Sequence, residues 1–281
     1  MQETISNKKK NQPPPEKEMS FWEHLEELRG HIFRSLAVIL VFAIAAFIAK
    51  KYIFDYVILA PKDADFLTNR LLCKLGDLLS VEALCIGRMD LNIQNINMSG
   101  QFMTHMYVSL FAGLIVAAPY VIWELWRFIM PALHPKEKKY SQGAVFVSSL
   151  LFLLGVLFAY FLIVPLTINF LGTYQVSEDV PNQIQLNSFI STIISVTIAV
   201  GIVFELPILV FFLTKVGLVT PAFLKKNRKY MLVIVLIISA IITPPDVFSQ
   251  ILVCIPLLGL YEISISIAKR VYKKRESNLA G

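Results

Sequence analysis

The chain has 281 residues, of which 56% are hydrophobic and 16% charged, with a formal net charge of +6 and a mean hydropathy of +0.64. Composition this apolar, gathered in blocks, excludes a soluble domain and reads as a polytopic membrane protein. Long continuous apolar runs rather than short alternating ones exclude a barrel and predict an all-α bundle.

Residues 1–18 hold Lys8, Lys9, Lys10 and the Pro13-Pro14-Pro15 run, and read as a disordered cytoplasmic tail. A membrane domain over 19–268 follows, with six spans at about 32–49, 102–130, 144–171, 189–213, 230–242 and 248–268. A basic cytoplasmic tail over 269–281 closes the chain. Ser20-Phe21-Trp22-Glu23 is a capping-box pattern opening a helix that runs into the first span. On that helix Glu23 and Glu27 share a face opposite Leu25, so this turn is expected to lie along the membrane surface and show carboxylates to the cytosol. Ala43-Ile44-Ala45 resembles a leader cleavage site, but the charged region before it is too long and an uncleaved first helix is expected.

The connection between spans 1 and 2 is long and external, and holds Cys73 and Cys85. These are a candidate disulfide, because external cysteines meet an oxidising compartment; whether their Cα atoms come within reach is not written in the sequence. Lys and Arg residues concentrate before span 1 (Lys8, Lys9, Lys10, Lys17, Arg29, with Arg34 just inside it), in the 2/3 connection (Arg127, Lys136, Lys138, Lys139), in the 4/5 connection (Lys215, Lys225, Lys226, Arg228, Lys229) and in the tail. The 3/4 and 5/6 connections have none, so both termini are expected in the cytoplasm.

Span 4 carries Glu205 in Phe204-Glu205-Leu206-Pro207. A carboxylate near mid-membrane costs about 2.5 to 3.5 kcal/mol on insertion scales and is a functional candidate by default; the plainer reading is a protonated acid bonded to a neighbouring helix. Pro207 removes a backbone donor and frees the carbonyl of Val203. Glu124 in Trp123-Glu124-Leu125-Trp126 is a second intramembrane acid. Span 5 is too short for a hydrocarbon core of about 30 Å, which predicts bilayer thinning or a water-filled recess at the 5/6 turn. There Thr243 is expected as an N-cap, Pro244 at the first helical position and Asp246 as the capping acid. His24, His31, His105 and His134 are scattered, and no metal-ligand, nucleophile-elbow or phosphate-loop motif is present. No catalysis, metal, cofactor or nucleic-acid partner is therefore expected.

Four strings carry a family resemblance: His24-Leu25-Glu26-Glu27-Leu28-Arg29, Pro131-Ala132-Leu133 with Glu137, Phe204-Glu205-Leu206-Pro207, and Thr243-Pro244-Pro245-Asp246-Val247-Phe248-Ser249-Gln250. Together they resemble TatC, the receptor subunit of the twin-arginine protein translocase. The resemblance implies a glove-shaped six-helix bundle with a concave face in the bacterial cytoplasmic (inner) membrane. It implies recognition of folded precursors by twin-arginine signal peptides, joint action with TatA- and TatB-type single-span subunits, and self-association. Carried over by residue, Glu27, Arg29 and Glu137 match the signal-peptide-binding positions, Glu205 with Pro207 the intramembrane acid and its break, and Pro61, Asp246 and Gln250 the external loops. Three features depart from the family: the long first external connection, the lysines after Glu137 in place of arginines, and Glu124, which stands where a neutral amide is expected. The alternative is a proton-coupled secondary transporter relaying through Glu124 and Glu205, although the inverted repeats usual in such proteins are missing. A purely structural scaffold leaves Glu137 and Glu205 without a reason.

Overall fold

The computed structural model describes residues 21–63, 65–79, 91–130, 141–177, 179–180, 182–243 and 247–279. Five helices among them are long and apolar enough to cross a membrane: Leu25–Ile48, Gly100–Ile129, Gly143–Thr173, Leu186–Val216 and Gln250–Lys273. The first lies within α1 (Phe21–Ile48), an uninterrupted helix, so the acidic turn continues the span's axis rather than forming a separate surface turn. After it come α2 (Lys50–Ile53), a π-turn over Phe54–Ile58, a 3-10 turn over Ala60–Lys62, and α3 (Leu67–Leu79). The remaining helices are α4 (Gly100–Ile129), α5 (Ser141–Phe158), α6 (Val164–Thr173), α7 (Leu186–Val203), α8 (Leu206–Val216), α9 (Pro221–Lys226), α10 (Arg228–Ile242) and α11 (Val247–Leu279). The fold is an all-α membrane bundle whose outward faces carry exposed apolar side chains such as Leu40, Val41, Ile44 and Ile48 on α1. Its centre packs Ile163, Ile190, Val200, Val235 and Leu257, each 0% exposed.

Helices α1 and α4 run antiparallel. A Cβ added at Gly113 of α4 would meet Ala43 N at 2.5 Å, Ala43 Cα at 2.8 Å and Ile39 O at 2.9 Å, so glycine is what lets the two main chains approach. Toward one end of this pair Phe47 stacks on His105, whose Nε2 lies 3.1 Å from Phe47 O; toward the other, His31 meets Glu124.

Span 3 is less regular than its apolar run suggests. A π-turn over Ala159–Ile163 joins α5 to α6, and Pro165 deprives the Phe161 carbonyl of its helical donor. Thr68 of α3 donates its hydroxyl to that carbonyl, and Phe66 stacks on Phe161, which docks α3 onto the break. Pro61 is buried, and Asn69 Nδ2 donates to Asp63 O (2.8 Å) and Pro61 O (3.3 Å); Pro61 therefore sits in a braced 3-10 turn. Two short strands, β1 (Ile93–Gln94) and β2 (Ile184–Gln185), pair in parallel and tie the 1/2 connection to the 3/4 connection.

Helix α10 has 15 residues, about 22 Å of helix, and does not match a full hydrocarbon layer. A recess lined by Thr167, Ser191, Thr192, Ser195 and Thr243 opens beside its end. The Thr243 hydroxyl donates back to Ser239 O at 2.8 Å, closing α10, and α11 is described from Val247 onward; Pro244 and Asp246, with which Thr243 is expected to open the last helix, lie outside the described residues. Serine and threonine commonly bond the carbonyl four residues back. Helix α11 also continues beyond the apolar run, through Leu279, so part of the expected tail extends the helix.

Candidate functional site

The candidate residues fall in three places. At the first end of the bundle, α1 presents Glu27, Arg29, His31 and Arg34. Glu27 and His31 are four residues apart and share a face, which brings Glu27 level with the last turn of α4. Glu27 Oε2 is shielded from solvent and has no hydrogen-bond partner among the described residues. Arg29 is exposed; its guanidinium lies over the Phe33 ring, 5.6 Å from the centroid, and pairs with no acid among the described residues. Glu137 lies outside the described residues, in the segment that leaves α4 at this same end.

Glu124 is 1% exposed and fully engaged. His31 Nδ1 donates to Oε2, Arg34 Nε lies 3.2 Å from Oε1, the Tyr120 hydroxyl donates to Oε1 at 3.0 Å, and Arg127 Nη1 is 4.0 Å away. The carboxylate thus ties α1 to α4 in a network that sequence reading missed. A Tyr four residues before and an Arg three residues after Glu124 were visible signals of local partners. No sequence signal joined it to His31, 93 residues away.

The second place is the middle of span 4. Helices α7 and α8 part at Phe204 and Glu205, with Pro207 in the first turn of α8. Glu205 O accepts from Ile208 N and Leu209 N, both at 3.0 Å, so the main chain resumes immediately after the break. Ser148 of α5 donates to Glu205 Oε2, whereas Oε1 is buried with no partner among the described residues. Gly155 makes the crossing tight, since a Cβ there would lie 2.8 Å from Phe204 Cβ and 3.0 Å from Gly201 Cα. Glu124 and Glu205 share no hydrogen-bond partner among the described residues, and nothing there links them as a relay.

The third place is the opposite end. Gln250 Nε2 donates to Leu236 O at 3.2 Å and pins α11 to α10. Asp246 lies outside the described residues. Cys73 on α3 is disulfide-bonded and Cys254 is a buried free thiol; Cys85 lies outside the described residues. Among the described residues no group of His, Cys, Asp or Glu could hold a metal ion.

Basic segments gather at the first end. Tyr261 of α11 donates to Leu224 O of α9 at 2.8 Å, Arg228 pairs with Glu262 at 2.6 Å, and Trp126 of α4 meets Phe212 of α8 edge-on. Lys269, close enough to share a hydrogen bond with Lys225, holds the Lys225 ammonium below the ordinary lysine range.

The family model described as "Sec-independent protein translocase protein (TatC)" matches residues 23–256. A TatC protein of Blattabacterium sp. subsp. Periplaneta americana (strain BPLAN) is 42% identical over 260 residues, covering 92% of this chain and 98% of its own. TatCy of Bacillus subtilis (strain 168) is 33% identical, covering 94% of each. Two crystal structures of the twin-arginine translocase receptor TatC, one of them in DDM, superpose with TM-scores of 0.64 and 0.67 at 34% identity, covering 89% and 88% of this chain and 99% of theirs. Matches this extensive in both sequence and backbone place the chain in the TatC family of Sec-independent, twin-arginine protein translocase components, which are multi-pass proteins of protein transport.

Proposed function

We propose that this chain is the cargo receptor of a twin-arginine translocase in a bacterial cytoplasmic membrane, with both termini in the cytoplasm. Glu27 and Glu137 take the paired arginines of a signal peptide, and Arg29 sits beside them as a positioning residue. TatA- and TatB-type single-span subunits join for transport. The observation that carries this reading is the shielded Oε2 of Glu27, which has no partner among the described residues, at the end where basic segments gather. A carboxylate oxygen out of water and without a donor is suited to a guanidinium, whose planar fork offers two parallel bonds that lysine cannot reproduce.

Magnitudes divide the work. Charge-assisted hydrogen bonds net about 1.5 to 3 kcal/mol each, whereas micromolar affinity needs about 8 kcal/mol. The apolar stretch of the signal peptide supplies the remainder along the bundle, and the unpartnered Oε1 of Glu205 offers one polar contact farther in. The transporter alternative draws no support from two acids with separate partners.

The test is binding of a fluorescent twin-arginine signal peptide to purified receptor in nanodiscs, against the same peptide with paired lysines. Wild type should prefer arginine, and Glu27→Gln should weaken binding by about 10- to 150-fold, the value of one charge-assisted bond. Equal affinity of the variant and wild type would remove Glu27 from recognition.

A further inference from the structure

Helix geometry alone would give Glu27 a partner within its own helix. His31 follows it by four residues and Arg34 by seven, so all three lie on one face, and an acid preceding a base by four residues is the favourable order for a helix pair. The structure shows another arrangement. His31 and Arg34 both turn to Glu124 on α4, and Glu27 Oε2 is left without a donor among the described residues. Arg34 Nη2 also lies 3.1 Å from His31 Nδ1, a close approach of two donors that a shared acid between them makes tolerable.

We propose that Glu124 acts by sequestration: it holds the two basic side chains of α1 so that Glu27 stays free to receive a cargo guanidinium. This rests on the reading of Glu27 as a recognition residue and adds a reason for an acid at position 124. The engagement of both Glu124 oxygens is what makes the device work. Oε2 accepts from His31, while Oε1 accepts from Tyr120 and is ion-paired with Arg34. Glu124 therefore competes poorly for the cargo's arginines while competing well for the receptor's own donors. An amide at this position keeps the shape but loses the charge. His31, only 5% exposed, would then lose its charged acceptor, and the nearest carboxylate on its own face is Glu27.

The test uses purified full-length receptor in nanodiscs and the twin-arginine peptide. Glu124→Gln should weaken binding by about 3- to 10-fold, that is about 0.7 to 1.4 kcal/mol, because an internal pair now occupies Glu27. Adding His31→Gln and Arg34→Gln to that variant should restore affinity to within about twofold of wild type, since neither side chain then competes for Glu27. A network that only braces α1 against α4 predicts the reverse, with each added substitution weakening binding further. Wild-type affinity in Glu124→Gln, or no restoration in the triple variant, overturns the proposal. If Glu124→Gln does not fold, the triple variant is measured directly; failure of both to fold equally assigns the network to structure and refutes sequestration. Glu27→Gln in the wild-type background separates the two claims, because unchanged affinity there defeats the recognition reading itself, whatever Glu124 does.

Discussion

Gly113→Ala offers a sharp test of the packing that places Glu27. The new methyl carbon would stand 2.5 Å from Ala43 N, 2.8 Å from Ala43 Cα and 2.9 Å from Ile39 O, all main-chain atoms of α1. Comfortable carbon contacts begin near about 3.5 Å, so α1 must move away by about 1 Å at the crossing. Overpacking of this kind costs about 1 to 3 kcal/mol. The methyl cannot be absorbed by a rotamer change, because nothing flexible is in its way. Shortening the opposing side chain by Ala43→Gly should therefore give no rescue, which distinguishes a backbone obstacle from a side-chain one. The assay is reversible unfolding in mild detergent, alongside peptide binding, since displacement of α1 also opens the His31–Glu124 contact. A variant as stable as wild type, or one repaired by Ala43→Gly, would refute the close approach of α1 and α4.

Further expectations concern the other sites. Glu205→Ala should insert normally and change stability by no more than about 1 kcal/mol, since it removes one hydrogen bond together with one unpartnered buried oxygen, yet transport of a twin-arginine precursor should fall; normal transport would reduce Glu205 to a tolerated packing residue. Thr68→Val should cost about 1 to 3 kcal/mol of unfolding free energy by stripping the Phe161 carbonyl of its donor, and no loss would show that α3 does not anchor span 3. Cys73 and Cys85 should resist alkylation in unreduced membranes and react after reduction, with the closed loop contributing about 3 kcal/mol; labelling of both without reductant rejects the pairing. Single cysteines replacing Lys226 and Asp179 should be labelled only from the cytoplasm and only from outside, respectively, and reversed labelling would overturn the orientation.

The polar breaks and apolar blocks were readable because each is a local property. The break at Phe204 and Glu205 falls just ahead of Pro207, as that proline suggests, and α10 is short because its apolar run is short. What escaped reading was pairing over distance. The Thr68 hydroxyl and the Phe161 carbonyl are 93 residues apart, and only Pro165 hinted that the carbonyl needed a donor. The two-residue strands at Ile93 and Ile184 carry no periodicity to detect. The backward bond of the Thr243 hydroxyl to Ser239 O was not read either, because local spacing does not rank a forward bond above a backward one. At the candidate site the acids stood out as residues out of place, whereas His31 looked like one scattered histidine until its partner on α4 was known.

The acids of this bundle with shielded oxygens divide by whether those oxygens are used. Glu124 has both oxygens bonded and ties two helices together. Glu27 and Glu205 each keep one shielded oxygen without a donor among the described residues. Leaving a buried acceptor unmet costs about 1 to 3 kcal/mol, and a nearby serine or amide is a small structural change that would remove the cost. A structural acid gains nothing from remaining unmet, but a receiving acid must, because any internal donor has to be displaced before a ligand binds. The two unmet oxygens lie on α1 and at the α7–α8 break, one at the basic end and one within span 4. A peptide whose charged segment docks at the first and whose apolar segment follows the helices inward would meet the second in order. On that geometry, receptor carrying Glu27→Gln and Glu205→Ala should lose affinity close to the product of the two single losses, since the contacts are separate, and strong non-additivity would place both acids on one shared contact.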